Sequence, residues 1–209
     1  MKKINISEAL MFGWKKTLEN FWLITNAVLL AALVYSVVDL FSTNVAGWDM
    51  TTAVICFGGG ILATNFMTFV LMKFFLNIYD DDEVTILGML KNTKGFYKFF
   101  IAYMAINLAT IAGLFIFIIP AIYVVVKYSF ALYLLIDKKI GIQESLAESA
   151  RISRGYKIEL LKFWLVLLCI NIVGAALFLV GLLFSLPISF LAIIYVYRGL
   201  LKEDTAPLI

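Results

Sequence analysis

Few residues in this sequence are of a type that supports catalysis or metal binding. Its 209 residues include no histidine, so zinc and most other transition metals would lack their commonest ligand. Cys56 and Cys169 both lie in apolar runs, where a thiol usually behaves as a small hydrophobic side chain. No nucleophile is paired with a base, and no carboxylates converge at a catalytic spacing. We therefore expect a protein that is not an enzyme and that has no cofactor.

One acidic run could bind a hard cation. Asp80, Asp81, Asp82 and Glu83 are consecutive, and carboxylate oxygens are the preferred ligands of Mg²⁺ and Ca²⁺. The run lacks the spacing of a calcium-binding loop. We interpret it as a solvated loop whose last carboxylates cap the next helix and complement its dipole.

Four asparagines inside apolar runs are candidate binding residues. Asn26, Asn107 and Asn171 could form a polar ring at a common depth, or they could make three separate interhelical hydrogen bonds. Asn65 follows the glycines at 58–60. This segment is typical of a close helix contact, and an unwound segment that lines a substrate site is the alternative.

A single cation, Lys127, lies deep inside an apolar run. Burying a lysine at such a depth costs roughly 2.5 to 3.5 kcal/mol on insertion scales, so we expect an offsetting contact. Asp39, near the outer end of the first apolar run, is one candidate for an ion pair. A lipid phosphate reached by the long side chain, or a water-filled cavity, is the other. Lys127 is therefore expected to face the bundle interior.

The elements that must position these residues are membrane-spanning helices. The chain is 63% hydrophobic with a mean hydropathy of +0.99, which is more apolar surface than one soluble core can bury. We separate the third span from the fourth at Pro120 and the fifth from the sixth at Pro187, because proline interrupts the helical hydrogen-bond ladder. The apolar runs then predict six spans, at roughly 20–41, 52–77, 97–118, 119–137, 158–183 and 186–202.

The positive charges predict the orientation of these spans. Sixteen of the 17 lysines and arginines flank the N-terminus, the second and fourth connections and the end of the last span. Because such charges are retained in the cytoplasm, we expect both termini on that side. This placement explains the net charge of +3 without nucleic acid binding.

Internal similarity predicts three helical hairpins in a single membrane domain. A glycine, an aromatic residue and a lysine recur before the first, third and fifth spans. The units cover about 4–79, 80–137 and 138–202, followed by a short tail at 203–209. The second and third units align Phe117 with Phe184, Pro120 with Pro187 and Tyr128 with Tyr195.

A short amphipathic segment precedes each hairpin, and we expect it to form a cytoplasmic helix in the headgroup region. In the third segment, Ile142, Leu146 and Ala150 recur every four residues among charged neighbours. The glycine before each of the first, third and fifth spans should let the chain turn from lying flat to crossing the membrane. These glycines are Gly13, Gly95 and Gly155.

The passage "PAIYVVVKYSFALYLLIDKKIGIQESLAESARISRGYK" resembles the membrane domain fused to some bacterial glycerophosphoryl diester phosphodiesterases, and the stand-alone relatives of that domain. The matching features are Pro120, Lys127, Asp137 and the segment from Ser149 to Gly155. The resemblance implies a bacterial cytoplasmic membrane and a link to lipid or envelope biology. It does not imply hydrolysis, which belongs to a separate barrel domain. The family often has arginine where Lys127 stands, which weakens an expectation of bidentate phosphate binding.

Together these features favour an integral membrane protein that binds or moves a lipid-like amphipathic molecule without catalysis. Membrane lipids, anionic ones above all, are the expected partners. A structural or assembly partner of another envelope protein is the alternative, and the sequence leaves a protein partner and the oligomeric state open. The candidate lipid-binding residues are Lys127, Asp39, Asn26, Asn65, Asn107, Asn171 and Arg198.

Overall fold

The structure, a computed structural model, describes residues 4–43, 49–82, 90, 93–177 and 180–205. These residues form helices and turns, and no strand occurs among them. The helices are α1 (Ile6–Glu19), α2 (Phe21–Thr43), α3 (Met50–Tyr79), α4 (Phe96–Ile116), α5 (Ile118–Lys127), α6 (Ala131–Asp137), α7 (Ile142–Ile152), α8 (Lys157–Ala176) and α9 (Val180–Thr205).

Six helical segments are long and apolar enough to cross a membrane, as predicted. The chain is therefore an all-helical, multi-pass membrane protein. The segments are Phe21–Phe41, Met50–Tyr79, Phe96–Ile116, Ile118–Asp137, Lys157–Ala176 and Val180–Asp204.

The predicted boundary between the fifth and sixth spans is wrong. Helix α8 ends at Ala176 and α9 begins at Val180, so Pro187 lies inside α9. Gly174 and Gly181 let the two helices approach closely beside this boundary. A Cβ added to Gly181 would lie only 2.4 Å from the carbonyl oxygen of Gly174, so a larger residue would not fit. Proline is tolerated inside a membrane helix when its surroundings compensate the missing hydrogen bond.

The boundary between the third and fourth spans lies at Phe117, three residues before the predicted one. Pro120 occupies the first turn of α5, where a backbone N–H has no helical partner in any case. The fourth span is itself interrupted at 128–130. Ser149 of α7 joins the two sides of this break, accepting from the Phe130 N–H at 3.2 Å and donating to the Lys127 carbonyl at 3.1 Å.

The core lies where α1, the C-terminal half of α3, α6, α7 and the C-terminal half of α9 meet, and the N-terminal parts of α2, α4 and α8 also contribute to it. Elsewhere along their length, α2, α4 and α8 expose many apolar side chains, and Phe115 is 89% exposed. This distribution is expected when lipid is the solvent around the outer helices. The large aromatic residues buried in the core are Phe69, Phe74, Phe75, Phe99, Phe130, Phe163 and Tyr197.

Helix α1 packs along α9, and the turn predicted at Gly13 is wrong. Gly13 lies in the middle of α1, and a Cβ there would come within 2.6 Å of the Ile188 carbonyl oxygen. The chain bends between α1 and α2 at Asn20 instead. Gly95 and Gly155 do adopt the left-handed conformation, with φ of +92° and +89°, immediately before α4 and α8.

Helix α7 packs against the rest of the protein through small polar residues. Ser145, Ser149 and Ser153 are fully buried, whereas Ile142 and Leu146 are only half-buried. Small hydroxyl side chains allow α7 to approach the break at 128–130 closely and to satisfy its backbone groups. The second predicted interfacial segment, at 80–93, lies mostly outside the described residues.

Residues aligned between the second and third hairpins differ in local structure. Phe117 is extended between two helices, whereas Phe184 lies inside α9. Pro120 opens a helix, but Pro187 follows seven residues of one. The hairpin turn of the third unit therefore comes earlier, relative to the proline, than in the second.

Candidate functional site

Lys127, the last residue of α5, contacts aromatic rings. Its side chain is half-buried, and Nζ lies 5.7 Å from the ring centroid of Tyr123 and 5.1 Å from that of Tyr128. Such cation–π contacts partly offset the cost of removing an ammonium group from water. No ion pair joins Lys127 to Asp39 within the described residues, and Asp39 lies on the exposed surface of α2.

Two further cations approach the same tyrosine. Lys157, the first residue of α8, donates a hydrogen bond from Nζ to Tyr123 Oη at 3.2 Å and lies 4.3 Å from the ring centroid. Arg154, three residues earlier, is close enough to interact electrostatically with Tyr123. We call Tyr123, Lys127, Arg154 and Lys157 the cationic cluster. Lys127 is thus not isolated from the other positive charges.

The local sequence explains how the cluster forms. Tyr123 and Lys127 are four residues apart, which places them on one face of α5. Gly155, in the left-handed conformation, turns the chain between Arg154 and the start of α8. No side chain caps the N-terminus of this 20-residue helix, but Glu159 lies in its first turn and offsets part of the positive end of the helix dipole.

The three cations of the cluster have no carboxylate partner among the described residues, a condition that they share with Lys94, Lys98 and Lys139. Several neighbouring cations do form such pairs. These pairs are Arg151–Glu148 at 2.7 Å, Lys138–Glu148 at 3.4 Å and Lys162–Glu159 at 2.8 Å.

Arg198, a predicted lipid-binding residue, is neutralised by aspartates. Its guanidinium donates to both Asp137 oxygens, at 2.9 Å and 3.0 Å, and to Asp80 at 2.5 Å. Asp81 pairs with Lys16. Asp80 and Asp81 are exposed, as expected for a solvated run, but each also pairs with a cation from another helix. The predicted capping of the next helix involves Glu83, which lies outside the described residues. Among the described residues, no group of three potential metal ligands occurs.

The structure does not join the three asparagines into a polar ring. Asn26 and Asn107 are exposed, and Asn107 donates to the Tyr103 carbonyl of its own helix at 2.8 Å. Only Asn171 reaches a neighbouring helix, donating to Ser189 Oγ at 2.9 Å. No hydrogen bond links any two of the three within the residues that the structure describes.

The glycine-rich segment of α3 shows neither predicted feature. A methyl group added to Gly58 or Gly59 would meet no atom within 4 Å, so no described helix packs closely against these two glycines. Helix α3 is continuous from Met50 to Tyr79, which excludes an unwound segment. Asn65 is buried, and its amide donates to the Ile61 carbonyl at 2.7 Å.

The sequence analysis selected Lys127 but not Tyr123, Arg154 or Lys157. Their types gave little signal, because aromatic and basic residues are common near the ends of membrane helices. One signal was present at 154–157, where a glycine, an aromatic residue and a lysine follow one another as they do before two other spans. We interpreted this pattern only as a turn.

Comparisons with protein-family models, with curated proteins and with solved structures found no match. The resemblance to the membrane domain of bacterial phosphodiesterases therefore stays a prediction. Conclusions about function rest on the geometry of the cationic cluster and its surroundings.

Proposed function

We propose that this protein binds or moves an anionic, lipid-like amphipathic molecule without catalysis, and that the cationic cluster holds its headgroup. The observation that carries the proposal is the contact of Lys127 and Lys157 with Tyr123, with Arg154 three residues from Lys157 and no carboxylate paired with any of these cations among the described residues. Each cation near an anionic membrane surface contributes about 1 kcal/mol of attraction. An anion at the cluster would supply the missing negative charge.

The surroundings of the cluster favour a lipid over a water-soluble anion. Tyr123 and Lys127 belong to one candidate membrane span, and Lys157 begins another. Ile122 and Ile158, which flank the cluster, are 40% and 56% exposed. A ligand with an anionic head and an apolar tail would satisfy both the cations and this apolar rim.

We further propose that the protein lies in a bacterial cytoplasmic membrane with both termini in the cytoplasm. The distribution of lysine and arginine supports this orientation. A cysteine at Trp48, which lies outside the described residues, should react with an impermeant reagent from outside the cell. A cysteine at Gln143, an exposed residue of α7, should not react. The reverse pattern would overturn the orientation.

The three-hairpin repeat and its interfacial helices also remain proposals. The left-handed glycines before α4 and α8 support a shared entry turn in the second and third units. Helix α7, which precedes the third unit, carries charged residues on its exposed side, as a helix near headgroups should.

Lipid retention tests the proposed function. The wild-type protein, the double variant Lys127→Gln/Lys157→Gln and the control Lys162→Gln would be purified in mild detergent, and bound lipids measured by mass spectrometry. Lys162 is also on α8 but is paired with Glu159. We expect the double variant to retain about thirtyfold less anionic lipid, as the loss of two charges worth about 1 kcal/mol each requires, and the control to match the wild type. Equal lipid content in all three would contradict the proposal, and a co-purifying protein would favour an assembly role.

A further inference from the structure

A groove of about 280 Å³ lies between α8 and α9. Trp164, Leu168 and Asn171 line it from α8, and Ser189, Phe190 and Ile193 line it from α9. Phe190 is held in place by a parallel stack on Phe75 of α3, with ring centroids 4.9 Å apart. The groove is therefore bounded by side chains that the fold fixes in position.

The two ends of the groove differ. At one end the helices meet closely, since a Cβ on Gly174 would lie 2.4 Å from Ser185 Oγ. Asn171, three residues before Gly174, donates a hydrogen bond to Ser189 Oγ at 2.9 Å. At the other end, the Trp164 indole N–H donates to Ser129 Oγ at 3.1 Å. Ser129 is two residues along the chain from Lys127, so this hydrogen bond links the groove to the segment that carries the cationic cluster.

The helical repeat gives a second link between the groove and the cluster. Three groove residues of α8 lie on the same helix face as Lys157. They follow it by seven, eleven and fourteen residues, and they are Trp164, Leu168 and Asn171. At 1.5 Å per residue, Trp164 lies about 10 Å and Asn171 about 21 Å along the helix from Lys157. The groove therefore begins about 10 Å along α8 from Lys157, a distance that the glycerol backbone and first methylenes of a lipid can bridge.

We infer that this groove holds an acyl chain of the same molecule whose headgroup occupies the cationic cluster, so that the ligand is an anionic long-chain phospholipid. The inference rests on the proposed function. An acyl chain fits the site because the groove lies along a spanning helix, on the same face as Lys157 of the cationic cluster. A second protein chain would fill the groove but would leave the charges of that cluster without a counterion.

Groove-filling variants test the inference. Leu168→Trp would place a bulky ring in the groove, and Leu165→Trp would do the same on a part of α8 that does not line it. The two leucines are matched, at 55% and 52% exposed. Binding of dioleoyl-phosphatidylglycerol and of short-chain dihexanoyl-phosphatidylglycerol would be titrated in detergent by native mass spectrometry. We expect Leu168→Trp to weaken long-chain binding by about tenfold, as the loss of a few buried methylenes implies, and to leave short-chain binding unchanged.

The outcomes separate this inference from the function on which it rests. Equal long-chain binding by the wild type and both tryptophan variants would overturn the acyl-chain site, whereas loss of binding in Lys127→Gln/Lys157→Gln would still support the cluster. If both lipids bind equally to the wild type and to that double variant, both proposals fail. If Leu168→Trp instead dissociates an oligomer and leaves lipid binding intact, the groove holds a second copy of the chain, and the inference is wrong.

Discussion

Arg198 donates hydrogen bonds to both oxygens of Asp137, at 2.9 Å and 3.0 Å, and so joins α9 to the end of α6. Tyr197 donates to the same carboxylate at 2.8 Å. The side chains of Arg198 and Asp137 are 23% and 18% exposed, so water screens this pair only partly. The pair connects segments that are 61 residues apart in the sequence.

Removing the charge of Asp137 should destabilise the protein substantially. We expect Asp137→Asn to cost about 2 to 3 kcal/mol, because it leaves a largely buried guanidinium without its bidentate partner. Asp80→Asn is the matched control, since Asp80 is 38% exposed and makes a single contact to Arg198. It should cost less than about 1 kcal/mol. Thermal unfolding in detergent measures both, and equal shifts would contradict the assigned roles.

The break in the fourth span makes Ser149 a structural requirement. Ser149→Ala should cost about 2 kcal/mol, because the Phe130 N–H loses its acceptor and the Lys127 carbonyl loses a donor in a buried place. Ser145→Ala is the control, since Ser145 is equally buried but bonds only to the Ile142 carbonyl of its own helix. A lower unfolding temperature for Ser149→Ala than for Ser145→Ala supports the bridge. Equal values would count against it.

Glycine packing provides a third test. Gly13→Ala would force a methyl group to within 2.6 Å of the Ile188 backbone, and we expect a loss of about 1 to 3 kcal/mol from overpacking. Gly58→Ala meets open space and should be neutral or stabilising by up to about 1 kcal/mol, because alanine favours the helix. The opposite ranking in thermal unfolding would show that α1 does not pack on α9 as described.

The pH dependence of stability tests the contacts of α7. Hydrogen bonds from Arg151 hold the pKa of Glu148 below its ordinary value of 4.5. Because this pKa is lower in the folded protein, the contribution to stability is present at pH values above 4.5 and is lost as pH falls through the folded pKa. Wild type should therefore unfold at a higher temperature than Glu148→Gln near neutral pH, and the difference should shrink in acid. A difference that grows on acidification would refute this interpretation.

The fold class was predictable because six apolar runs of spanning length leave few other arrangements. Helix boundaries were less predictable, since proline was taken as the interruption. In fact Gly174 and Gly181 close the last hairpin, and Pro187 lies within a helix. Close backbone contacts of this kind depend on which glycines face each other, which a single sequence does not show.

The candidate site was only partly predictable for a related reason. Lys127 stood out because its burial is costly, but its neighbours Tyr123 and Lys157 are 34 residues apart and meet only in the folded chain. Arg198 was chosen for its charge, yet Asp80 neutralises it from 118 residues away. Which cations remain without a carboxylate is a property of the packed bundle, and it decides where an anion can bind.

The most direct test of the account asks which lipid touches the cationic cluster in a membrane. A photoreactive benzoylphenylalanine at Tyr123 would be irradiated in vesicles of phosphatidylethanolamine and phosphatidylglycerol, with Phe115, which is 89% exposed, as the reference position. We predict that adducts at position 123 are enriched in phosphatidylglycerol over its share of the vesicle, whereas adducts at position 115 reflect that share. Identical lipid ratios at the two positions would contradict the claim that the cluster binds an anionic lipid.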